Sequence, residues 1–161
     1  RRLRPLDIPY EIIPGVPAYA AAAAAMGQEL TIPEVSQTLI LTRTAMKSSS
    51  KPEAEELERL GRTGATLAIH LSVRNLLEIE RKLAPFYGPD CPVVVAYRVG
   101  WPDEMLLRGT LSTIRETVRT EKLTRTALIF IGPALGDATD FRDSALYDGA
   151  YPHVLRPKRV G

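Results

Sequence analysis

The segment VVVAYRVGWPDEMLLRGTL, residues 93–111, decides the fold class of this chain. Two apolar runs flank WPDE, and so short a connection leaves no room for a helix between them. Parallel strands need a crossover of a dozen or more residues, whereas antiparallel strands can be joined by a short turn. Pro102 followed by Asp103 is also typical of turns. The segment therefore predicts an antiparallel hairpin over 92–98 and 105–111, with WPDE at its tip.

Outside this hairpin, short β-rich runs alternate with helical patterns. Pro17 suits the first position of a helix, and Gly27 provides a C-terminal stop. Ser50–Glu53 and Thr113–Glu116 have the spacing of capping boxes. The alternation predicts an α/β fold with a mixed parallel and antiparallel sheet flanked by helices. The other predicted strands are 10–13, 38–42, 65–71 and 126–131, and the predicted helices are 17–26, 52–60, 73–86 and 113–122.

The composition is that of an ordinary globular domain. The chain has 161 residues, of which 45% are hydrophobic and 25% charged, and its net charge of +2 gives no argument for nucleic-acid binding. No apolar run approaches the roughly 20 residues of a membrane helix. A single cysteine, Cys91, excludes an internal disulfide and fits a reducing cytoplasm. The chain begins at Arg1 without a methionine, so we expect a fragment of a longer protein.

We divide the chain into one α/β domain, residues 1–136, and a polar C-terminal tail, residues 137–161. Within the domain, the polar stretch TAMKSSSK, residues 44–51, predicts a mobile loop. The Ala-rich segment, residues 14–26, predicts a thin helix. Its free N-terminal N–H groups can meet a ligand, although a small-residue core helix explains the same composition.

Few side chains carry recognisable chemistry. His70, at the end of a predicted strand, is either a general base or a satisfied core or pocket residue. Arg43 and Lys47 either bind carboxylates of an anionic substrate or belong to a solvated loop. Asp103 and Glu104 are adjacent, so in an extended chain they point to opposite faces and make a poor acid–base pair. No cluster of metal ligands and no nucleophile–base pair is visible in the sequence.

Six stretches together resemble the C-terminal half of the tetrapyrrole methylases. They follow one another in order over nearly the whole chain: IPYEIIPGVPAYAAAAAAMG, ELTIPEVSQTLILTR, GATLAIHLS, VVVAYRVGWPDEMLLRGTL, TALIFIGPALG and FRDSALYD. PGV before an Ala-rich helix is shared across that family. EVSQTLILTR and WPDE are narrower, and they resemble the branch that methylates precorrin-4, or its cobalt form, at C11 in cobalamin biosynthesis.

The resemblance implies a cytoplasmic homodimer that binds S-adenosylmethionine between two α/β domains and transfers its methyl group to the tetrapyrrole. It implies no catalytic side chain, because positioning an electron-rich carbon supplies much of the rate. The family's glycine-rich loop and Gly-Asp motif belong to its N-terminal domain. Both are absent from this sequence, so we expect that domain to be missing here and the isolated chain to be inactive.

The family's cofactor contacts fall on five positions of this sequence: Pro17, Ala18, Leu71, Gly100 and Ala127. Arg43 and Trp101 are predicted substrate contacts, because arginine binds carboxylates and an indole covers an apolar ligand face. Three alternatives remain at this point. The chain resembles in part the precorrin-2 and precorrin-3B methylases, and the family also has branches that act on diphthine or ribosomal RNA. An isolated domain of this kind can also serve only in dimerisation.

Overall fold

A computed structural model describes residues 1–44 and 52–136. Its centre is a five-stranded mixed sheet with the spatial order β1-β2-β5-β3-β4. β1 and β2 are parallel, β5 lies antiparallel between β2 and β3, and β4 is antiparallel to β3. The carboxyl ends of β1, β2 and β3 therefore share one edge with the amino ends of β4 and β5. The strands are β1 (Leu39–Arg43), β2 (Thr66–His70), β3 (Pro92–Tyr97), β4 (Met105–Thr110) and β5 (Ala127–Ile131).

Four α-helices cover the sheet: α1 (Ala18–Met26), α2 (Leu57–Gly61), α3 (Leu76–Tyr87) and α4 (Ile114–Thr120). Short 3₁₀ turns precede α2 and α3. The predicted mixed α/β class is confirmed, as is the hairpin, in which Tyr97 pairs with Met105 across the turn. Gly27 ends α1 in the left-handed conformation, with φ of 61°, as predicted. No helix in the described ranges is long and apolar enough to span a membrane.

The two faces of the sheet differ in what covers them. We call the side covered by α2, α3 and α4 the closed face; there the sheet residues pack against Ile79 and Leu83 of α3. We call the other side the α1 face, where the sheet meets Ala22 and Met26 of α1. Alternation along the strands divides the side chains: Leu67, Ile69, Val93, Val95, Ile129 and Ile131 lie on the closed face, and Ala68, Val94, Ala96, Leu128 and Phe130 on the α1 face.

Three local predictions are wrong. Residues 10–13 form no strand, because no described strand pairs with them, and Ile12 and Ile13 stay exposed. Pro17 is extended and precedes the first helical residue instead of occupying it. Thr113 does not cap α4 with its side chain; its hydroxyl accepts a 2.9 Å hydrogen bond from the N–H of Thr110 instead.

Some predictions concern other parts of the chain. The capping box at Ser50, the ligand role of Lys47 and most of the predicted loop 44–51 lie outside the described residues. The predicted tail, residues 137–161, does so as well.

Candidate functional site

A cavity of about 280 Å³ opens on the α1 face, at the edge where the carboxyl ends of β2 and β3 meet the start of β5. The helix contributes only alanines there, and their small side chains leave the space that larger residues would fill. Most of the lining is apolar, as in many sites for small organic ligands. The lining residues are Ala18, Ala21, Ala22, His70, Leu71, Ala96, Arg98, Val99, Trp101, Thr126, Ala127 and Leu128.

Backbone strain is concentrated around this cavity. Three of the six non-glycine residues with positive φ in the described ranges line it: Leu71 at 57°, Arg98 at 46° and Thr126 at 56°. A left-handed conformation costs an L-residue about 1–2 kcal/mol, and it is rarest for β-branched residues such as threonine. Two of the three are joined, since the N–H of Arg98 donates to the carbonyl of Thr126 at 3.1 Å. Strain of this kind is typical of ligand sites.

A buried hydrogen-bond network holds Leu71 in its strained conformation. The hydroxyl of Ser72 donates to the carbonyl of His70 at 2.6 Å, which closes a small ring across Leu71. The same oxygen accepts the N–H and the hydroxyl of Thr44, both at 2.9 Å. Asn75 in turn donates to the Thr44 hydroxyl at 2.5 Å. The network therefore ties the end of β1 to the turn after β2 and fixes one wall of the cavity.

The tip of the β3–β4 hairpin uses both of its carboxylates for its own structure. Asp103 pairs with the Nε of Arg98 at 3.0 Å, and the Arg98 guanidinium lies 4.5 Å from the centre of the Trp101 ring. Glu104 accepts the N–H of Gly100 at 2.8 Å. These contacts hold the indole at the cavity mouth with 59% of its surface exposed. WPDE is thus a turn that its own contacts hold in place, as the turn interpretation predicts, and it leaves Trp101 exposed at the cavity.

Four of the predicted site residues meet in this cavity: Ala18, Leu71, Trp101 and Ala127. Pro17 and Gly100 are their chain neighbours and do not line it. Gly100 has a φ of 83°, and a Cβ added there meets no atom within 4 Å. The geometry at Gly100 is therefore that of a turn residue.

Arg43 lies beside the cavity rather than in its lining. It is the last residue of β1 and is in register with His70 of β2. The roles of Arg43 and of the other predicted site residues as ligand contacts stay predictions, because they concern molecules that the structure does not contain.

Comparison with known proteins identifies the fold. Residues 1–115 match the sequence profile of the family described as Tetrapyrrole (Corrin/Porphyrin) Methylases. The chain belongs to the tetrapyrrole methylase family. The chain is also similar to a solved cobalt precorrin-4 methyltransferase of cobalamin biosynthesis. The two share a TM-score of 0.79 and 37% identity, over 84% of this chain and 56% of that chain.

Two curated relatives are more similar in sequence. The chain is 54% identical over 157 residues to a precorrin-4 C(11)-methyltransferase of Pseudomonas aeruginosa. It is 51% identical over 156 residues to a protein of the same name from a Sinorhizobium species. The alignments cover 98% and 97% of this chain but only 62% and 61% of the relatives. The chain therefore spans about three fifths of the length of these relatives.

Sequence reasoning missed three residues that shape the candidate site: Ser72, Arg98 and Thr126. Serine directly after a buried strand is a weak signal, because serine hydroxyls often bond to nearby backbone. Positive φ at arginine and threonine gives no signal, because neither residue type favours it. Only the tertiary arrangement of the three strand ends imposes it.

Proposed function

We propose that this chain forms one wall of the active-site cleft of an S-adenosylmethionine-dependent enzyme that methylates precorrin-4 at C11. The observation that carries the proposal is the identity of 51% and 54%, over nearly the whole chain, to two proteins named precorrin-4 C(11)-methyltransferase. The cavity at the sheet edge supports it, because Ala18, Leu71 and Ala127 lie together there.

The residues of the cavity fit a nucleoside cofactor. Ala18, Ala21 and Ala127 offer small, apolar side chains, and Leu71, which also lines the cavity, is 72% exposed. S-adenosylmethionine, when bound, supplies an electrophilic methyl group. This chain's residues then bind and orient the ligands and exclude water. We assign no acid–base role to Asp103 or Glu104, because both carboxylates are held within the hairpin tip.

For the tetrapyrrole substrate we propose contacts with Trp101 and Arg43. The exposed indole at the cavity mouth provides a planar surface for a conjugated macrocycle, and its contact with Arg98 keeps it in place. Arg43 ends its strand at the same sheet edge, where its guanidinium is suited to a substrate carboxylate.

We also propose that the protein is a cytoplasmic homodimer. Ile12, Ile13 and Val16 are 77–80% exposed, and clustered exposed apolar side chains favour association. Light scattering across a wide concentration range tests this proposal. A dimer or larger particle is expected, and a monomer at every concentration would contradict it.

Methyl transfer itself is tested with a chimera. In this chimera the chain is joined to the part of the Pseudomonas aeruginosa relative that it does not match. The chimera is expected to transfer a labelled methyl group from S-adenosylmethionine to precorrin-4 or to cobalt-precorrin-4, and the isolated 161-residue chain to transfer none. Methylation at another carbon, or of precorrin-2 or precorrin-3B only, would overturn the proposed substrate. Turnover by the isolated chain would show that this wall suffices.

A further inference from the structure

We propose that the imidazole of His70 binds a carboxylate of the ligand that occupies this cavity; the role rests on the proposed function and adds a binding residue to it. The carboxylate has two possible sources. One is the amino-acid end of the cofactor, and the other is an acid side chain of the macrocycle. The chemistry of recognition is the same for both.

The position of His70 is set by the sheet. It is the last residue of β2 and is in register with Arg43 on one side and Leu128 on the other. Side chains alternate along a strand, so His70 lies on the same face as Ala68, which is the α1 face. The Ser72 hydroxyl bonds to the His70 carbonyl and thereby fixes the backbone from which the side chain projects. The imidazole consequently reaches the cavity from a rigid base.

The His70 side chain has no partner in the part of the protein that the structure describes. Within residues 1–44 and 52–136, no hydrogen bond or ion pair to the imidazole is present, although the residue is partly buried. Its ring nitrogens are not among the fully buried side-chain atoms without a partner, so they are accessible to a ligand. A ligand in the cavity can therefore supply an acceptor.

The charges around His70 favour an acceptor that is an anion. None of the described residues that line the cavity is acidic, whereas His70 and Arg98 are both potential cations. Asp103 offsets Arg98 at the hairpin tip, on the other side of the cavity mouth. Arg43 is the direct neighbour of His70 across the β1–β2 pair. An N–H donor in a cavity whose described lining holds no carboxylate is suited to a carboxylate ligand, and charge-assisted hydrogen bonds are the stronger kind.

The experiment uses two matched pairs of ligands. S-adenosylhomocysteine carries an amino-acid carboxylate, and 5′-methylthioadenosine is the same nucleoside with a methyl group on sulfur in place of the whole amino-acid chain. Cobyrinic acid is a corrin with free carboxylates, and cobinamide is a corrin in which they are amides. Trp101 is the only tryptophan of the chain and lies on the cavity wall, so quenching of its fluorescence reports binding. Melting curves establish that each variant is folded.

Two substitutions separate hydrogen bonding from packing. His70→Phe keeps a planar ring and removes both nitrogens, and His70→Gln keeps an N–H donor. We expect His70→Phe to weaken at least one carboxylate ligand about tenfold or more, while binding of its carboxylate-free counterpart is unchanged. His70→Gln should restore most of that loss. A loss for S-adenosylhomocysteine identifies the cofactor carboxylate, and a loss for cobyrinic acid identifies the macrocycle.

Two results would overturn the inference alone: unchanged affinities in His70→Phe, or equal losses for both members of each pair. The same titrations in the chimera extend the test to the longer protein. A wild-type protein that binds none of the four ligands, as the chain and as the chimera, would overturn the proposed function and the inference with it. Methyl transfer with normal affinities in His70→Phe would overturn the inference and leave the proposed function standing.

Discussion

The closed face and the α1 face of the same sheet differ in how completely helices cover them. On the closed face, branched side chains of β2, β3 and β5 are completely covered by three helices. On the α1 face, a single helix made almost wholly of alanine lies over the sheet, and a cavity remains at one end. Three strained residues surround that cavity, and the closed face has none in its core cluster.

The two faces therefore make different contributions: the closed face mainly stabilises the fold, and the α1 face provides the cavity. Burial of large side chains stabilises by roughly 1.5–3 kcal/mol each, so the closed face carries most of the hydrophobic free energy. The α1 face buries less apolar surface, because the cavity occupies part of it. The backbone strain around the cavity lowers the stability of the fold, and burial on the closed face offsets that cost. A ligand site requires both features: a gap in the core and walls that do not collapse into it.

The largest effect is expected from truncation of the closed face. Ile79 is 0% exposed, so Ile79→Ala should lower the free energy of unfolding by about 2–5 kcal/mol, since it leaves a cavity among side chains that cannot close over it. Leu77→Ala, on the solvent side of the same helix, is the matched control and should cost far less. Urea denaturation with the m-value monitored gives both numbers.

The same truncation on the α1 face should behave differently. Leu71→Ala removes a side chain that is 72% exposed, so the free energy of unfolding should change by no more than about 0.5 kcal/mol. Ligand quenching of Trp101 should weaken nevertheless. If Leu71→Ala destabilises the fold as much as Ile79→Ala, the proposed separation of the two faces is wrong.

The next effect concerns the network that holds the cavity wall. Ser72→Ala removes the acceptor of the buried Thr44 N–H and the bond across Leu71. We expect a loss of about 1–3 kcal/mol, because a buried donor is left without a partner. Asn75→Ala, which removes only the outer bond to Thr44, is the control and should cost less. Equal losses in the two variants, measured by thermal melting, would show that the bonds of Ser72 contribute no more than the outer bond of Asn75.

Much of the fold is predictable from sequence, because the signals for strands and turns lie in short stretches of the chain. Alternation and turn chemistry predict the hairpin and the three other strands to within about a residue, but they also predict a strand at residues 10–13 that is wrong. That stretch has the apolar pattern of a strand but lacks a partner. The sheet order is not predictable in this way. β5 comes last along the chain and yet lies between β2 and β3, and no local pattern encodes pairing over such separations.

The candidate site, like the fold, is only partly predictable from the sequence. Composition alone cannot distinguish an Ala-rich ligand helix from a core helix, and only the family resemblance brings Ala18, Leu71 and Ala127 to one place in advance. The strain at Arg98 and Thr126 arises where three strand ends meet, so it depends on the tertiary structure. The Ser72 network also requires β1 and β2 to be adjacent before its bonds can be anticipated.

A smaller effect is expected at Gly100, the chain neighbour of Trp101 at the hairpin tip. Its φ of 83° and the empty space around an added Cβ indicate a conformational requirement rather than a steric one. Gly100→Asn should therefore be more stable than Gly100→Ala, by up to about 1 kcal/mol, because asparagine tolerates positive φ better. Calorimetric titration of S-adenosylhomocysteine, together with melting curves, distinguishes the alternatives. Tighter binding by the alanine variant at equal stability would indicate a steric cofactor wall instead.

The smallest effect, and the most direct test of strain on the α1 face, is expected from Thr126→Gly. Threonine at a φ of 56° is strained by about 1–2 kcal/mol, and glycine removes that strain but loses about 0.5–1 kcal/mol of chain entropy on folding. The net change should be a stabilisation of about 0–1.5 kcal/mol, centred on about 0.75 kcal/mol. Lys122→Gly, at a φ of 55° and outside the cavity lining, is the matched control and should stabilise by a similar amount. The two variants should differ in binding. Thr126→Gly loosens a cavity wall and should weaken ligand quenching of Trp101, whereas Lys122→Gly should leave it unchanged. If both variants bind ligand equally well, the strain at Thr126 is incidental to the site. If Thr126→Gly lowers the melting temperature, its side chain stabilises the wall by more than the strain costs.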